Sequence, residues 1–524
     1  MTEQQERWGS RLGIILAVAG SAVGLGNFLR FPGQAAQHGG GAFMIPYLCA
    51  LLFLGIPLCW AEWTMGRYGG RKGLHSAPSI LGVIGKGAPA RYLGVLGILA
   101  PLLVNMYYVL IEAWCLRYFL AYVTGDLDLG SDPAQYAARS GDFFRTVSGD
   151  GANGLIPDGS AGLVFLLFVI GFNLWFIRRG LAKGIETFCK IAMPALIVCA
   201  LIVLVRVLTL GTPDPARPDQ NVLAGLGFMW NPDLSHLGDF QTWLAAAGQV
   251  FFSIGIGFGI IINYASYLTK NDDVVLSGLT ASATNEFCEV ALGGLITIPA
   301  AFVFVGVGLA VGSTFGLGFQ TLPIVFASMG EAGRLIGAIW FFMLFLAAVT
   351  SSLSMLQPVF AFLAEALGLS RSRALVYLGG LTSLGALWVL YFSRGQVALD
   401  TIDFWVGTLA IVILATVQSV CFSWVFGIDR GLAEAHTGAQ LRIPGVFRFV
   451  MKYVTPAYLL IVLIGFCLQS LPGYVRGLAD NTVAGWTLVF IGLILVLLVV
   501  ITRIGERRWR AAGLDIDGRL PPKD

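Results

Sequence analysis

Residues 20–32 read GSAVGLGNFLRFP inside an otherwise apolar run. Gly20, Gly24 and Gly26 recur among small residues, and Asn27 and Arg30 follow. Glycine disfavours helix, and a polar group in lipid must find a partner. A membrane helix that unwinds at mid-depth frees carbonyls, which bind cations, and amides, which bind anions. A second run, FFSIGIGFG at 251–259, carries Gly255, Gly257 and Gly259. Glycine also serves close helix packing in membranes. Two such runs at corresponding places favour two interrupted helices around one site. Four acids, Glu62, Glu112, Glu286 and Glu289, fall in or beside apolar runs and need partners there.

These residues require long apolar elements to hold them. The chain has 524 residues, 56% hydrophobic and only 12% charged, with a mean hydropathy of +0.78. Twelve runs are long enough to cross a bilayer core: 11–37, 41–70, 88–124, 162–180, 187–210, 241–268, 276–310, 336–368, 373–393, 398–426, 447–472 and 483–506. The expectation is an all-α integral membrane protein of one domain, 1–524, ending in a polar tail, 507–524. The two glycine-interrupted runs are the first and sixth, so they face opposite ways across the membrane. That pattern suggests an inverted repeat, 11–210 and 241–426, with 447–506 appended.

The net charge of +3 says little, but its distribution says more. With the N-terminus inside, Arg7, Arg11, Arg67, Arg71, Lys72, Lys86, Arg91, Arg178, Arg179, Lys183 and Lys190 share one side. Clusters at 371–373, 430–452 and 503–523 join them, while Asp126, Asp128, Asp132, Asp142, Asp150 and Asp158 fall opposite. Both termini are therefore expected in the cytoplasm of a cell bounded by this inner (plasma) membrane, with 125–160 and 211–240 as outer caps. The first run lacks a small-residue cleavage site and reads as an uncleaved span. No GxxxxGK[ST] follows a strand-like run, which argues against a nucleotide-driven pump. The eight cysteines form no CxxC or Cys/His cluster and read as small buried hydrophobes. The four His residues show no metal spacing, and no nucleophile–base pair suggests an enzyme.

Eight segments carry a resemblance that covers nearly the whole chain. They are WGSRLGIILAVAGSAVGLGNFLRFPGQAAQHGGGAFMIPY (8–47), EWTMGRYGG (62–70), YYVLIEAW (107–114), RGLAKGIETFCKIAMP (179–194), GQVFFSIGIGFG (248–259), SGLTASATNE (277–286), AAVTSSLSMLQP (347–358) and DFWVGT (403–408). Together they resemble the neurotransmitter:sodium symporter family. The resemblance implies a LeuT-like fold of twelve transmembrane helices, an inverted 5+5 repeat and discontinuous helices 1 and 6. It implies sodium-coupled amino-acid symport by alternating access, with amino acid, Na+ and the lipid bilayer as partners and no nucleic acid. A homodimer through late helices is a further expectation.

Residue roles follow from that resemblance. The amides of Leu25 and Gly26 and the Tyr108 hydroxyl would take the substrate carboxylate. Monoamine members carry Asp where this chain has Gly24, so an amino acid bringing its own carboxylate is implied. Ser21, Ala22, Val104, Phe252, Ser253, Gly255, Phe258, Ser351 and Met355 would complete the pocket. Ser21, Gly255 and Met355 depart from the pattern's Asn, Ser and Ile, which suggests room for larger aliphatic or aromatic side chains. One sodium site would use Ala22, Asn27, Ser253 and Asn285 with the substrate carboxylate, which couples ion to substrate. A second would use carbonyls of Gly20, Val23 and Ala347 with hydroxyls of Thr350 and Ser351. Taken alone, the 350–352 hydroxyls read as back-bonding to their own helix. Glu62 would accept bonds from amides freed in the sixth span. Glu289 stands where chloride-dependent members have a small hydroxyl, which implies a built-in substitute for chloride.

The resemblance also implies two gates. Arg30 and Asp403 would pair at the outer one, above an aromatic lid of Tyr108 and Phe252. The inner one would use Trp8, Ser266 and Tyr267. There Gln5 stands where the pattern has Arg, so Arg7 is expected to pair with Glu365. Two alternatives remain at this point: a sensor that binds without transporting, and a proton-coupled or exchange transporter. No Lys occurs at Thr350 or Ser351 to favour the proton type.

Overall fold

The computed structural model describes residues 7–151, 153–155, 162–213, 215–305 and 314–520. Gln5, Asp158 and 521–524 of the tail lie outside the described residues. Among the described residues there is no strand. Nine helices there are long and apolar enough to cross a membrane, or ten with a bent pair counted as one span.

The bent pair is the first span. Ser10 caps its start by accepting the Gly13 amide at 3.0 Å. Helix Arg11–Ala22 ends where Val23 turns to ψ 93°, and Gly26–Gln37 resumes at 46°. The sixth run is interrupted likewise, into Phe240–Ile254 and Ile260–Ala265. Gly255, Gly257 and Gly259 between and beside them take φ of 72°, 76° and 75°, a region that side chains resist. Space demands glycine too: a Cβ on Gly257 would stand 2.7 Å from the Ile411 carbonyl, and one on Gly259 would overlap the Gly97 carbonyl. The freed Gly257 amide donates to Glu62 Oε1 at 2.9 Å, as expected for that buried acid.

The run Gly162–Leu208 has 47 residues. As one helix it would be roughly 70 Å long, more than twice the hydrocarbon core. It turns at Gly180 (φ 84°, ψ −176°). The rings of Phe172 and Phe176 then lie 6.3 and 4.7 Å from that of Phe188, so the run folds back on itself.

Burial separates core from lipid face. The apolar window of Ala88–Thr124 is 94% buried, whereas that of Gly162–Leu208 is only 33% buried. Val164, Leu167, Phe168, Ile191 and Val198 lie exposed on the latter, an apolar surface suited to lipid. The third span instead packs along Glu331–Leu367, the eighth, in the centre. The two connections expected as outer caps are not plain loops: they contain helices Tyr136–Ser148 and Val222–Trp230. At the opposite end the tail folds back. Lys72 pairs with Asp515 at 2.6 Å, and buried Arg91 pairs with Glu506 at 2.8 Å and Asp517 at 2.5 Å.

Candidate functional site

The two helix breaks face one cavity. Its lining includes Ser21, Ala22, Gly26, Val104, Tyr108, Phe252, Ser253, Gly255, Phe258, Ser351 and Met355, eleven of the twelve residues expected there. Leu25 is not among them; its amide donates to the Tyr108 hydroxyl at 3.3 Å, just behind the wall. Gly24, Asn27 and Ile260 line it as well. Gly24 has no room to spare: a Cβ there would stand 2.7 Å from Ser351 Oγ and 2.9 Å from the Tyr108 hydroxyl. Gly255 is the reverse case, because a Cβ there would meet nothing within 4 Å. It leaves open space beside Phe252 and Phe258.

Asn27 is the hub of a buried polar network. Its Oδ1 accepts the Gly24 amide at 2.8 Å, which ties the break together. Its Nδ2 donates to Asn285 Oδ1 at 2.8 Å, and Asn285 Nδ2 donates to Ser253 Oγ at 2.6 Å. Asn27, Ser253 and Asn285 thus converge from the first, sixth and seventh spans. Glu289, fully buried one turn beyond Asn285, completes the group. It accepts from Gln249 at 2.5 Å, from Asn285 at 3.3 Å, from Asn27 at 3.4 Å and from the Ser253 hydroxyl. Gln249 escaped the sequence reading. Its signal is spacing: it precedes Ser253 by four residues and so shares a helix face with it. Tyr47 was missed too; its hydroxyl donates to Glu286 at 2.7 Å.

The second expected ion site is also brought together. A Cβ on Gly20 would stand 3.3 Å from Thr350 Cβ, so the first and eighth spans touch there. Thr350 donates to Ala347 O at 3.0 Å and Leu346 O at 3.2 Å. Ser351 donates to Ala347 O at 3.1 Å and reaches Ser21 O at 3.3 Å. The hydroxyls therefore back-bond along their own helix and one of them also crosses to the break. Val23, with its ψ of 93°, leaves the helical ladder at this point.

Both gates differ from expectation. Among the described residues no ion pair joins Arg30 to Asp403. The Arg30 guanidinium lies 4.5 Å over the Phe252 ring, and Asp403 accepts the Tyr107 hydroxyl at 2.7 Å. Each charge has found a nearer partner, an aromatic face for the cation and a hydroxyl for the anion. The Arg7–Glu365 pair is not formed either. The Trp8 ring turns inward, donates to Tyr264 O at 3.0 Å and packs edge-on to that ring, which leaves its neighbour Arg7 exposed. Glu365 accepts the His75 amide at 3.2 Å instead. His75 is the unexpected residue here. Its ring stacks on Tyr267 at 4.5 Å, and Nδ1 meets Ser266 Oγ at 2.9 Å. Arg11, not Arg7, makes the ion pair at this end, with Asp273 at 3.2 Å.

Burial pushes the His75 imidazole down to about 4, against a partial opposing pull from Ser266. The buried site favours the neutral ring, so stability is complete above about pH 6.5, where the unfolded chain is neutral too, and is lost as pH falls toward 4. Thermal melts between pH 4 and 8 should fall more steeply for the wild type than for His75→Gln. The expected difference at the acid end is on the order of 3 kcal/mol. Parallel profiles would remove His75 from this account.

The sodium:neurotransmitter symporter family matches residues 5–142 and 157–507. The chain belongs to this family. An uncharacterized sodium-dependent transporter of Methanocaldococcus jannaschii is 31% identical over 469 residues, covering 87% of this chain and 89% of the relative. The sodium-dependent serotonin transporter of Drosophila melanogaster is 27% identical and covers 91% and 78%. The crystal structure of MhsT in complex with L-phenylalanine is 29% identical, with a TM-score of 0.75, covering 88% of this chain and 99% of that one. The symporter chain is thus a sodium-dependent, multi-pass membrane transporter with the LeuT-like fold and not an enzyme.

Proposed function

We propose that this symporter couples sodium to the uptake of neutral hydrophobic or aromatic amino acids, without chloride. The carrying observation is the cavity at the first break, where Gly24 leaves no side chain between Ser351 and Tyr108. The substrate carboxylate then lies against the Leu25 and Gly26 amides and the Tyr108 hydroxyl. Asn27, Ser253 and Asn285, with the Ala22 carbonyl, hold one sodium beside it. Gly20, Val23, Ala347, Thr350 and Ser351 hold the second. Sodium prefers hard oxygen ligands, and interrupted helices supply them without added charge. The open space at Gly255 and the adaptable Met355 suit a large side chain. The phenylalanine held by MhsT supports that substrate class. Glu289 supplies, inside the protein, the negative charge that chloride would bring.

In this reading 11–210 and 241–426 form the inverted repeats and both termini are cytoplasmic in the plasma membrane. Spans 1, 2, 6 and 7 rock against the others. Each sodium charge that crosses contributes about 2.3 kcal/mol per 100 mV of membrane potential. Arg30 and Asp403 close the outer mouth by leaving Phe252 and Tyr107 for each other once substrate is bound. A thermal-shift screen of the twenty amino acids, in sodium and in potassium, tests the proposal. Leucine, methionine or an aromatic acid should stabilise the protein in sodium alone. Preference for glycine or alanine would contradict the substrate class.

A further inference from the structure

The start of the first span is held by two kinds of contact. Trp8 bonds to Tyr264 of the sixth span, and Arg11 pairs with Asp273 at the head of the seventh. In the rocking scheme both partners travel with the first span, so neither resists its motion. Glu186 is different. It lies at the head of the fifth span, outside the moving group, just after the turn at Gly180. Its Oε2 accepts the Gly9 amide at 2.6 Å, and its Oε1 accepts the Ser10 hydroxyl at 2.9 Å. The side chain is only 2% exposed and also pairs with Lys190, one turn along, at 2.6 Å. Gly13 completes the seat, since a Cβ there would overlap the Glu186 carboxylate.

We infer that Glu186 is a cytoplasmic latch, a positioning residue that holds the first span against the fifth while the inner pathway is closed. The inference rests on the alternating-access reading above. Its chemistry suits a reversible hold. Bonds to a carboxylate are shorter and stronger than neutral ones, so two of them can fix a helix end. On release, the Gly9 amide and Ser10 hydroxyl pass to water. Lys190 stays on the same helix as Glu186 and keeps the carboxylate paired. Opening therefore leaves no lone buried charge, which would otherwise block it. The latch grips the segment whose other end meets the second sodium site, at Gly20 against Thr350. Sodium and latch thus hold one short helix from both ends.

The chain carries its own reporter. Cys189 is buried three residues after Glu186, and its sulfur would lie 3.5 Å from a Cβ on Gly20. The first span covers it, and a swing of that span uncovers it. Cys115, buried in the third span, is the internal control. Alkylation of the purified transporter by N-ethylmaleimide in sodium, read by peptide mass spectrometry, is expected to be slow at Cys189. Glu186→Gln should raise that rate by roughly tenfold, with Cys115 unchanged. Glu186→Asp should fall between, and Ser10→Ala, a milder change, should move Cys189 in the same direction. Equal Cys189 rates in wild type, Glu186→Gln and Ser10→Ala would overturn the latch. So would an equal rise at Cys115, which would make Glu186 a general stabiliser. Absence of sodium-driven uptake by the wild type would instead count against the transport reading, since the alkylation comparison needs no transport.

Discussion

Replacing Gly24 with Asp should abolish sodium-dependent amino-acid uptake, by roughly 100-fold or more. Two effects act together. The new Cβ would stand 2.7 Å from Ser351 Oγ and 2.9 Å from the Tyr108 hydroxyl, closer than side-chain atoms pack without rearrangement. The carboxylate beyond it would occupy the place proposed for the substrate's own carboxylate, and two like charges there repel at low dielectric. It would also take up the amides that the substrate needs. Gly24→Ala separates the two, because it adds the methyl group without the charge. Uptake by Gly24→Ala should lie between wild type and Gly24→Asp. Wild-type uptake of leucine or phenylalanine by Gly24→Asp would place the substrate carboxylate elsewhere.

The second large effect concerns Glu289. Under the chloride-free coupling proposed above, Glu289→Ser should make uptake depend on chloride, with uptake in gluconate lower by roughly tenfold or more. The change removes the carboxylate but leaves Gln249, Ser253 and Asn285, which donate to it or lie against it. Those groups then face an empty anion position beside the proposed sodium site. A mobile anion can restore the lost charge; without it the sodium is less well held. Uptake by the wild type should be the same in chloride and gluconate. A Glu289→Ser variant equally active in both would remove the charge-substitution account.

How much of this was legible in the chain follows from what each residue depends on. The first break was readable because glycines in an apolar run have few uses. Asn27 was readable because a polar group in lipid needs a partner, whereas Asn285 came from the family resemblance, and the two amides meet. The gate pairs were not readable, because pairing depends on which way a helix end is turned. Trp8 turning toward Tyr264 sends Arg7 outward, and nothing in the sequence sets that rotation. His75 went unnoticed for a related reason: a lone His beside basic residues gives no sign that Tyr267 will cover it. Arg30 and Asp403 carry the right charges, yet Phe252 and Tyr107 hold them apart in this conformation. Glu186 stands between Lys183 and Lys190 with nothing in the sequence to mark it, and only its contact with Gly9, from a distant part of the chain, gives it a task.

Sodium-driven accumulation in proteoliposomes tests the central claim most directly. Wild-type protein should concentrate a radiolabelled hydrophobic or aromatic amino acid when sodium is outside and potassium inside, and should not do so with potassium on both sides. Asn27→Ala should lose that sodium-driven accumulation. Sodium-dependent binding without accumulation would make the protein a sensor, and accumulation that proceeds equally in potassium would contradict sodium coupling.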